Sequence, residues 1–398
     1  MKIFLIAPTE IPARRANTLQ VMKMVQALAG LGHHIHLAAP SGGTTARPNW
    51  ETLTQHYGLQ QSAEILQQVP LVWLPAHPRL RRYDYGLRAV LRARQAGAEL
   101  VYTRLPQAAA IASEVGQATI LEIHDLPQGR SGPWLFRRFL AGKGARRLVV
   151  ITQALANDLG QRFALPQTAG FTVIAPDGVD LERYQNLPAP QAARQALIDA
   201  AAPGIDNRLE PQRFTAGYTG HLYPGRGTEL LLELAAGLPG ICFLIAGGEP
   251  QDIARFQAQA DARGLKNLLL TGFIPNARLP AYQAACDALL MPYQQRVAAS
   301  SGGDIARYLS PMKLFEYLAC GRPVLSSDLP VLQEVLNPQN AILLPANEPQ
   351  AWQAALRRLQ ADPATGTPLA LQARQDARQY TWQARAERIL EGLPAGNF

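Results

Sequence analysis

The chain has 398 residues, 47% of them apolar and 17% charged, with a formal net charge of +8. That apolar share can fill two domain cores and excludes a disordered chain, and Gly 32 and Pro 31 are too scattered for a fibrous one. Residues 1–190 carry 20 Lys+Arg against 12 Asp+Glu and the remainder 18 against 18, so the basic excess is wholly N-terminal and bears on partners.

In chain order, Lys2–Ala7 reads as a first strand. It is too short, and broken too early by Pro8, for a signal peptide. Leu19, Met22, Val25, Leu28 and Leu31 then recur at helical spacing over 18–31, with Gly32 as a stop. Further strands are expected at 34–38, 71–74, 100–102, 119–123, 148–151 and 172–174, mostly with helices between them. Asn186–Gln212, rich in Pro, Ala and polar residues, reads as an interdomain region. A second series follows, with strands at 214–218, 241–246, 267–270, 288–291, 323–326 and 341–344. Its helices are expected at 227–236, 252–263, 279–284, 311–319 and 349–359. The tail 369–393 reads as one or two terminal helices. The pattern predicts an α/β chain: two doubly wound, Rossmann-like parallel sheets with a cleft between them. The domains are expected at 1–190 and 213–370, with 191–212 between them and a helical tail at 371–398 packing back on the first. No apolar run of about 18 residues lacks a charge or a breaker, so no spanning helix is expected. Cys242, Cys286 and Cys320 are an odd set without knuckle spacing, which fits a reducing compartment.

Three stretches could carry chemistry. Ser310-Pro311-Met312-Lys313-Leu314-Phe315-Glu316 reads as a helix start with Ser310 as N-cap and Pro311 at the first position. Free N–H groups and Lys313 there suit an anion, and Glu316 on the second turn suits two vicinal hydroxyls. Together they make a grip for a nucleotide; the same residues also read as a capped surface helix. Tyr218–Thr228 is a strand end, a glycine-rich turn and a helix start, with His221 and Arg226 offering donors to phosphate, or simply a turn with a solvated arginine. Leu121-Glu122-Ile123-His124-Asp125 puts ionisable groups at a strand's carboxyl end, where His124 is either an active-site or a structural residue. No metalloprotease, Ser–His–Asp or calcium-loop spacing is present.

Taken together, these motifs resemble the family-4-type glycosyltransferases of the GT-B fold over nearly the whole chain. Val173–Asp180 resembles the family's IPNGVD, with Asp177 where Asn is usual. Gly220–Gly227 is similar to its GRLxxxKG loop, with His221 and Arg226 at the Arg and Lys. Ser310–Pro323 resembles the SPxKLFEYMAxGKPV variant of enzymes that modify polysaccharides and cell envelopes. One departure stands out: the first of the family's two glutamates falls at Tyr308.

The resemblance implies a retaining transferase that moves a sugar from a nucleotide diphosphate sugar to an acceptor hydroxyl, without cofactor or metal. Arg226, His221 and Ser310–Leu314 would hold the diphosphate, Glu316 the ribose, and Gly272, Phe273 and Ile274 the base. His124 would face the transferred sugar, and Arg14, Arg15, Asn17 and Thr18 the acceptor, a glycan or lipid-linked sugar. A sugar-nucleotide epimerase and a non-catalytic nucleotide-sugar binder are the alternatives. Arg79, Arg81, Arg82, Arg88, Arg92 and Arg94 form one basic run. Trp134–Phe139 with Lys143, Arg146 and Arg147 forms an aromatic–basic patch. Both suit an anionic membrane surface or simply solvent. The expected location is cytoplasmic, with peripheral attachment to the inner membrane face as one form. No nucleic-acid-binding module is recognisable.

Overall fold

The computed structural model describes residues 1–41, 47–60, 63–77, 79–80, 82–298 and 303–393. The chain divides into two compact units, Met1–Asp177 with the segment from Trp382 on, and Gly178–Thr381.

The first unit carries strands β1 (Lys2–Ile6), β2 (His34–Ser41), β3 (Leu71–Pro75), β4 (Leu100–Thr103), β5 (Thr119–Ile123), β6 (Ala145–Val150) and β7 (Thr172–Ile174). They form one parallel sheet in the order β3-β2-β1-β4-β5-β6-β7. The second unit carries β8 (Thr215–Thr219), β9 (Cys242–Ala246), β10 (Leu268–Gly272), β11 (Ala288–Met291), β12 (Val324–Ser327) and β13 (Ile342–Leu344). Its sheet is also parallel, ordered β10-β9-β8-β11-β12-β13. Every residue of β4, β5, β8, β9, β11 and β12 is buried. This is why the strands read as continuous apolar runs: a parallel sheet has helices on both faces. In each sheet the strand order reverses once, between β1 and β4 and between β8 and β11, and ligand sites of such sheets lie at the carboxyl ends there.

The division differs from the expected one. Asn186–Gln212 belongs wholly to the second unit, because the helix Pro190–Asp199 is anchored in it. Arg194 donates to the Pro211 and Ala285 carbonyls and pairs with Asp287 at 2.8 Å. The composition of that stretch resembles a linker, but its Arg194 is spent on packing. The tail is split as well. Helix Thr367–Asp376 stays with the second unit, where Asp376 accepts from Asn340, and helix Trp382–Leu390 belongs to the first. The three cysteines are buried free thiols; burial pushes Cys242 up to about 11 and Cys320 up to about 12, which leaves them unreactive. Among the described residues no helix is long and apolar enough to cross a membrane.

Candidate active site

At the reversal point of the second sheet, β8 ends at Thr219 and the chain turns at Gly220 in a φ of +133°. A side chain there would meet Lys313 Nζ at 3.1 Å. The loop runs through His221, stacked on Tyr223 at 4.7 Å, to Arg226 and to Gly227, which starts helix Thr228–Gly237. Gly227 sits at φ +84° with the Pro292 carbonyl where a Cβ would be, so glycine is required to bring this loop against the end of β11.

The two cations of the site share one ring. Arg226 Nη1 donates to Tyr293 Oη at 2.9 Å, and its guanidinium carbon lies 5.2 Å from the centre of that ring. Lys313 Nζ lies 3.7 Å from the Tyr218 ring centre and 5.1 Å from that of Tyr293. Lys313 Nζ, Arg226 Nε, His221 Nδ1 and Ser310 Oγ are buried without hydrogen-bond partners. Burial, reinforced by Arg226, drives the Lys313 ammonium well below the ordinary lysine range, with Glu316 opposing. Burial and then Arg226 likewise lower His221, leaving a neutral imidazole. Buried donors without acceptors are costly unless something else supplies the acceptors.

Helix Met312–Cys320 supplies the other wall, and here one expectation is corrected. Pro311, not Ser310, occupies the N-cap, in an extended conformation, and no side chain caps the helix. Ser310 therefore leaves its hydroxyl unspent. Met312 and Lys313 open the first turn with N–H groups that have no carbonyl in the helix to bond, whereas the Leu314 N–H donates to the Pro311 carbonyl at 2.9 Å. Glu316 is not a solvated side chain either. Its carboxylate accepts from Gln283 at 3.1 Å and from Asn276 at 3.5 Å, and the Gln283 carbonyl accepts from Tyr184 at 2.9 Å. At the end of β10, Gly272 accepts from the Gly247 amide at 2.8 Å and Phe273 is 37% exposed. The Ile274 side chain is in the core, so only its backbone is left for recognition. Tyr308 is buried, and Asp304 is spent on its loop, accepting from the Val297 and Ala306 amides at 2.9 Å each.

In the first unit, His124 follows β5, and its Nε2 lies 2.5 Å from Glu122 Oε1. The same oxygen accepts from Gln20 at 2.7 Å and from Arg385 at 2.8 Å, while the Tyr102 hydroxyl donates to the other oxygen. Burial alone would raise Glu122, but Arg385, then His124 and Arg104, outweigh it and hold the carboxyl well below its ordinary range. His124 is lowered by burial and then Arg104. A neutral imidazole beside a carboxylate carries its proton on Nε2, which leaves Nδ1 as an acceptor. Asp177 is buried with Oδ1 unpartnered, and burial raises its carboxyl. Asn17 donates to Thr9 at 3.3 Å and keeps Oδ1 unpartnered, one helical turn before Gln20. Thr18 is different: it is buried and donates to the Ala13 and Arg15 carbonyls at 2.8 Å, fixing the helix start. Arg14 and Arg15 are exposed.

Sequence reading passed over Tyr218, Tyr293 and Gln283, which look like ordinary core positions, and it gave Glu122 no role. Arg385 had a signal: it falls on the apolar stripe of Trp382, Ala386 and Ile389, so the helix faces it inward. The aromatic–basic patch is used up only in part, since Trp134, Arg137, Arg138 and Lys143 stay exposed. Leu135, Phe136 and Phe139 are buried, Arg138 pairs with Glu114, and Arg137 lies over the Phe163 ring at 5.3 Å. Arg147 donates to the Gly170, Ile389 and Glu391 carbonyls, clamping the C-terminal helix.

Residues 19–183 match the family model Glycosyltransferase Family 4, and residues 213–362 match Glycosyl transferases group 1. Together the two stretches take up most of the chain, which belongs to the glycosyltransferases these models describe. The D-inositol 3-phosphate glycosyltransferase of Xylanimonas cellulosilytica is 26% identical over 225 residues, 55% of this chain and 50% of its own. That of Rhodococcus erythropolis is 27% identical over 257 residues, 62% and 52% of the two chains. The chain thus spans about half the length of the curated relatives it matches. In fold it resembles Anabaena HepE, solved with UDP and glucose, at TM-score 0.72 and 16% identity over 99% of both chains. Sucrose-phosphate synthase from Thermosynechococcus elongatus superposes at TM-score 0.70 and 20% identity, over 98% and 97%. The fold is that of the GT-B glycosyltransferases.

Proposed function

We propose that the chain transfers a sugar, with retention, from a nucleotide diphosphate sugar to an acceptor hydroxyl of a glycan or lipid-linked sugar. The observation that carries this reading is the pair Arg226 and Lys313. Two basic side chains lie over one tyrosine ring, with Lys313 Nζ and Arg226 Nε buried and unpartnered, at the reversal point of the sheet. A diphosphate would supply the missing acceptors. Ser310 Oγ and the Met312 and Lys313 N–H groups at the helix start would add donors to the same anion.

The chemistry follows from charge. As the bond from sugar to phosphate breaks, negative charge grows on the leaving diphosphate, and fixed donors stabilise it more than they stabilise the ground state. These cations can do that without a divalent metal. Glu316, oriented by Gln283 and Asn276, would accept from the two ribose hydroxyls, and the backbone at Gly272–Ile274 would meet the base. His124 Nδ1 would accept from a hydroxyl of the transferred sugar. Arg14, Arg15 and Asn17 are the acceptor-side candidates, and Thr18 supports them by holding the helix start. The Ser310–Pro323 block, as the SPxKLFEY variant, supports a role in polysaccharide or cell-envelope synthesis. UDP-sugars head the donor panel, because HepE was solved with UDP.

A thermal-shift screen against UDP-, GDP-, ADP- and dTDP-sugars, followed by transfer assays with and without chelator, tests this. One nucleotide should raise the melting temperature by mass action. Glu316→Ala should weaken it by about one to two decades, the worth of a charged hydrogen bond of about 1.5–3 kcal/mol. Arg226→Ala should lower turnover as well, and Arg226→Lys should restore part of it. No nucleotide binding, or turnover that needs added magnesium, defeats the reading.

A further inference from the structure

Helix Arg82–Gln95 in the first unit buries Tyr85, Ala89, Val90 and Ala93 against the core. Its opposite face is apolar too. Tyr83 is 42% exposed, Leu87 46% and Leu91 50%, and Leu80, just before the helix, is 57% exposed. Positions 80, 83, 87 and 91 advance by three or four, so they form one line along the helix. An exposed line of four large apolar side chains calls for a covering partner.

The rim says what kind. Arg79, Arg82, Arg88, Arg92 and Arg94 are exposed along this stretch. Arg81, expected in the same run, lies outside the described residues. The one carboxylate from 79 to 95 is Asp84, and it is already engaged by Arg88 at 3.0 Å and by the His77 amide at 2.8 Å. A strongly basic rim around an apolar stripe complements an anionic, apolar-cored surface. A second copy of the same arginine-rich face would repel it. Next in this helix layer come Pro106–Glu114 and then Gly132–Ala141, whose Trp134 is 49% exposed beneath Arg138.

We propose that this face of the first unit docks on an anionic phospholipid bilayer. Leu80, Tyr83, Leu87 and Leu91 enter the boundary between headgroups and acyl chains, and the arginines meet lipid phosphates. The surface is centred on the basic run read from the sequence at Arg79–Arg94, to which the structure adds the apolar line, and the aromatic–basic patch lies beyond it with Trp134, Arg137, Arg138 and Lys143 exposed. The proposal goes beyond the transferase reading and does not depend on it.

Co-sedimentation with vesicles of equimolar phosphatidylglycerol and phosphatidylcholine, against phosphatidylcholine alone, tests it at low and high salt. The chain should bind the anionic vesicles and be released by salt. Tyr83→Ser/Leu87→Gln/Leu91→Gln should lower partitioning about a hundredfold, at roughly tenfold per leucine partly withdrawn from water. Arg82→Gln/Arg92→Gln/Arg94→Gln should lower it about fivefold per charge, on anionic vesicles only. All these side chains are exposed, and the melting temperature of each variant without ligand, followed by circular dichroism, checks its integrity independently of the donor assignment. Failure of the wild type to bind anionic vesicles overturns the proposal, as does unchanged binding by the apolar triple variant. So does a dimer in sedimentation velocity that the triple variant dissolves while vesicles go unbound, which would mean a second copy covers the face.

Discussion

Arg385 lies 2.8 Å from Glu122, Nη2 to Oε1, although 263 residues of chain separate them. The guanidinium also donates to the Pro176 and Ala175 carbonyls, at 2.9 and 3.2 Å. One side chain of the last helix therefore ties together the end of β5 and the last residues before the chain leaves the first unit. Glu122, in turn, holds His124.

Breaking that pair should be expensive. Glu122→Gln or Arg385→Met leaves the partner's charge buried, at a cost of about 3–5 kcal/mol. The double variant should recover part of the loss, since no lone charge remains. Glu122 is held below its unfolded value, so its contribution is full above the ordinary glutamate range and is lost as pH falls through the depressed folded value. Arg385→Met should therefore begin acid unfolding at higher pH than wild type, followed by circular dichroism. Coincident acid transitions would show that the pair does not hold this unit together.

Lys313 should trade stability for binding. Its buried, unpartnered amino nitrogen is a burden on the free protein, so Lys313→Met should melt no lower than wild type without ligand. The same variant should lose about ten- to a hundredfold in affinity for nucleoside diphosphate. The folded-state pKa is below the unfolded one, so the unfolded chain binds more protons between the two values, and wild-type stability rises with pH across that window. An incoming diphosphate would restore the proton. Calorimetry in two buffers of different ionisation heat should then show proton uptake by wild type at pH above the depressed value, and none by Lys313→Met. Equal uptake by both proteins would move the titration to another group.

Gly220 and Gly160 should respond in opposite directions to alanine. At Gly220 the φ of +133° is strained for any side chain, and the new methyl would press on Lys313. Gly220→Ala should cost about 1–3 kcal/mol and weaken nucleotide binding through the displaced ammonium. Gly160, inside helix Gln153–Arg162, has open space where its Cβ would go, so Gly160→Ala should gain up to about 1 kcal/mol. Denaturant melts of the two variants check both signs, and a tolerated Gly220→Ala would show that the loop can relax.

The strands were legible from the sequence alone. Each expected strand is present within a few residues, because a strand buried on both faces must be apolar along its length and is bounded by Gly, Pro or polar turns. The Ser310–Glu316 and Gly220–Arg226 stretches were legible for a related reason: each is a local strand-to-helix or loop-to-helix junction, written in consecutive residues. Only the tertiary structure decided which distant side chains meet. It set Arg226 and Lys313 over the same Tyr293 ring, joined Tyr184, Gln283 and Glu316 in one hydrogen-bonded chain, and placed Arg385 on Glu122. It also moved the helix cap from Ser310 to Pro311 and sent Arg147 and Arg194 inward. Periodicity along a chain reports which face of an element is buried. It does not say what that face is buried against, because the partner is chosen only when the sheets close and every buried polar group must find its own.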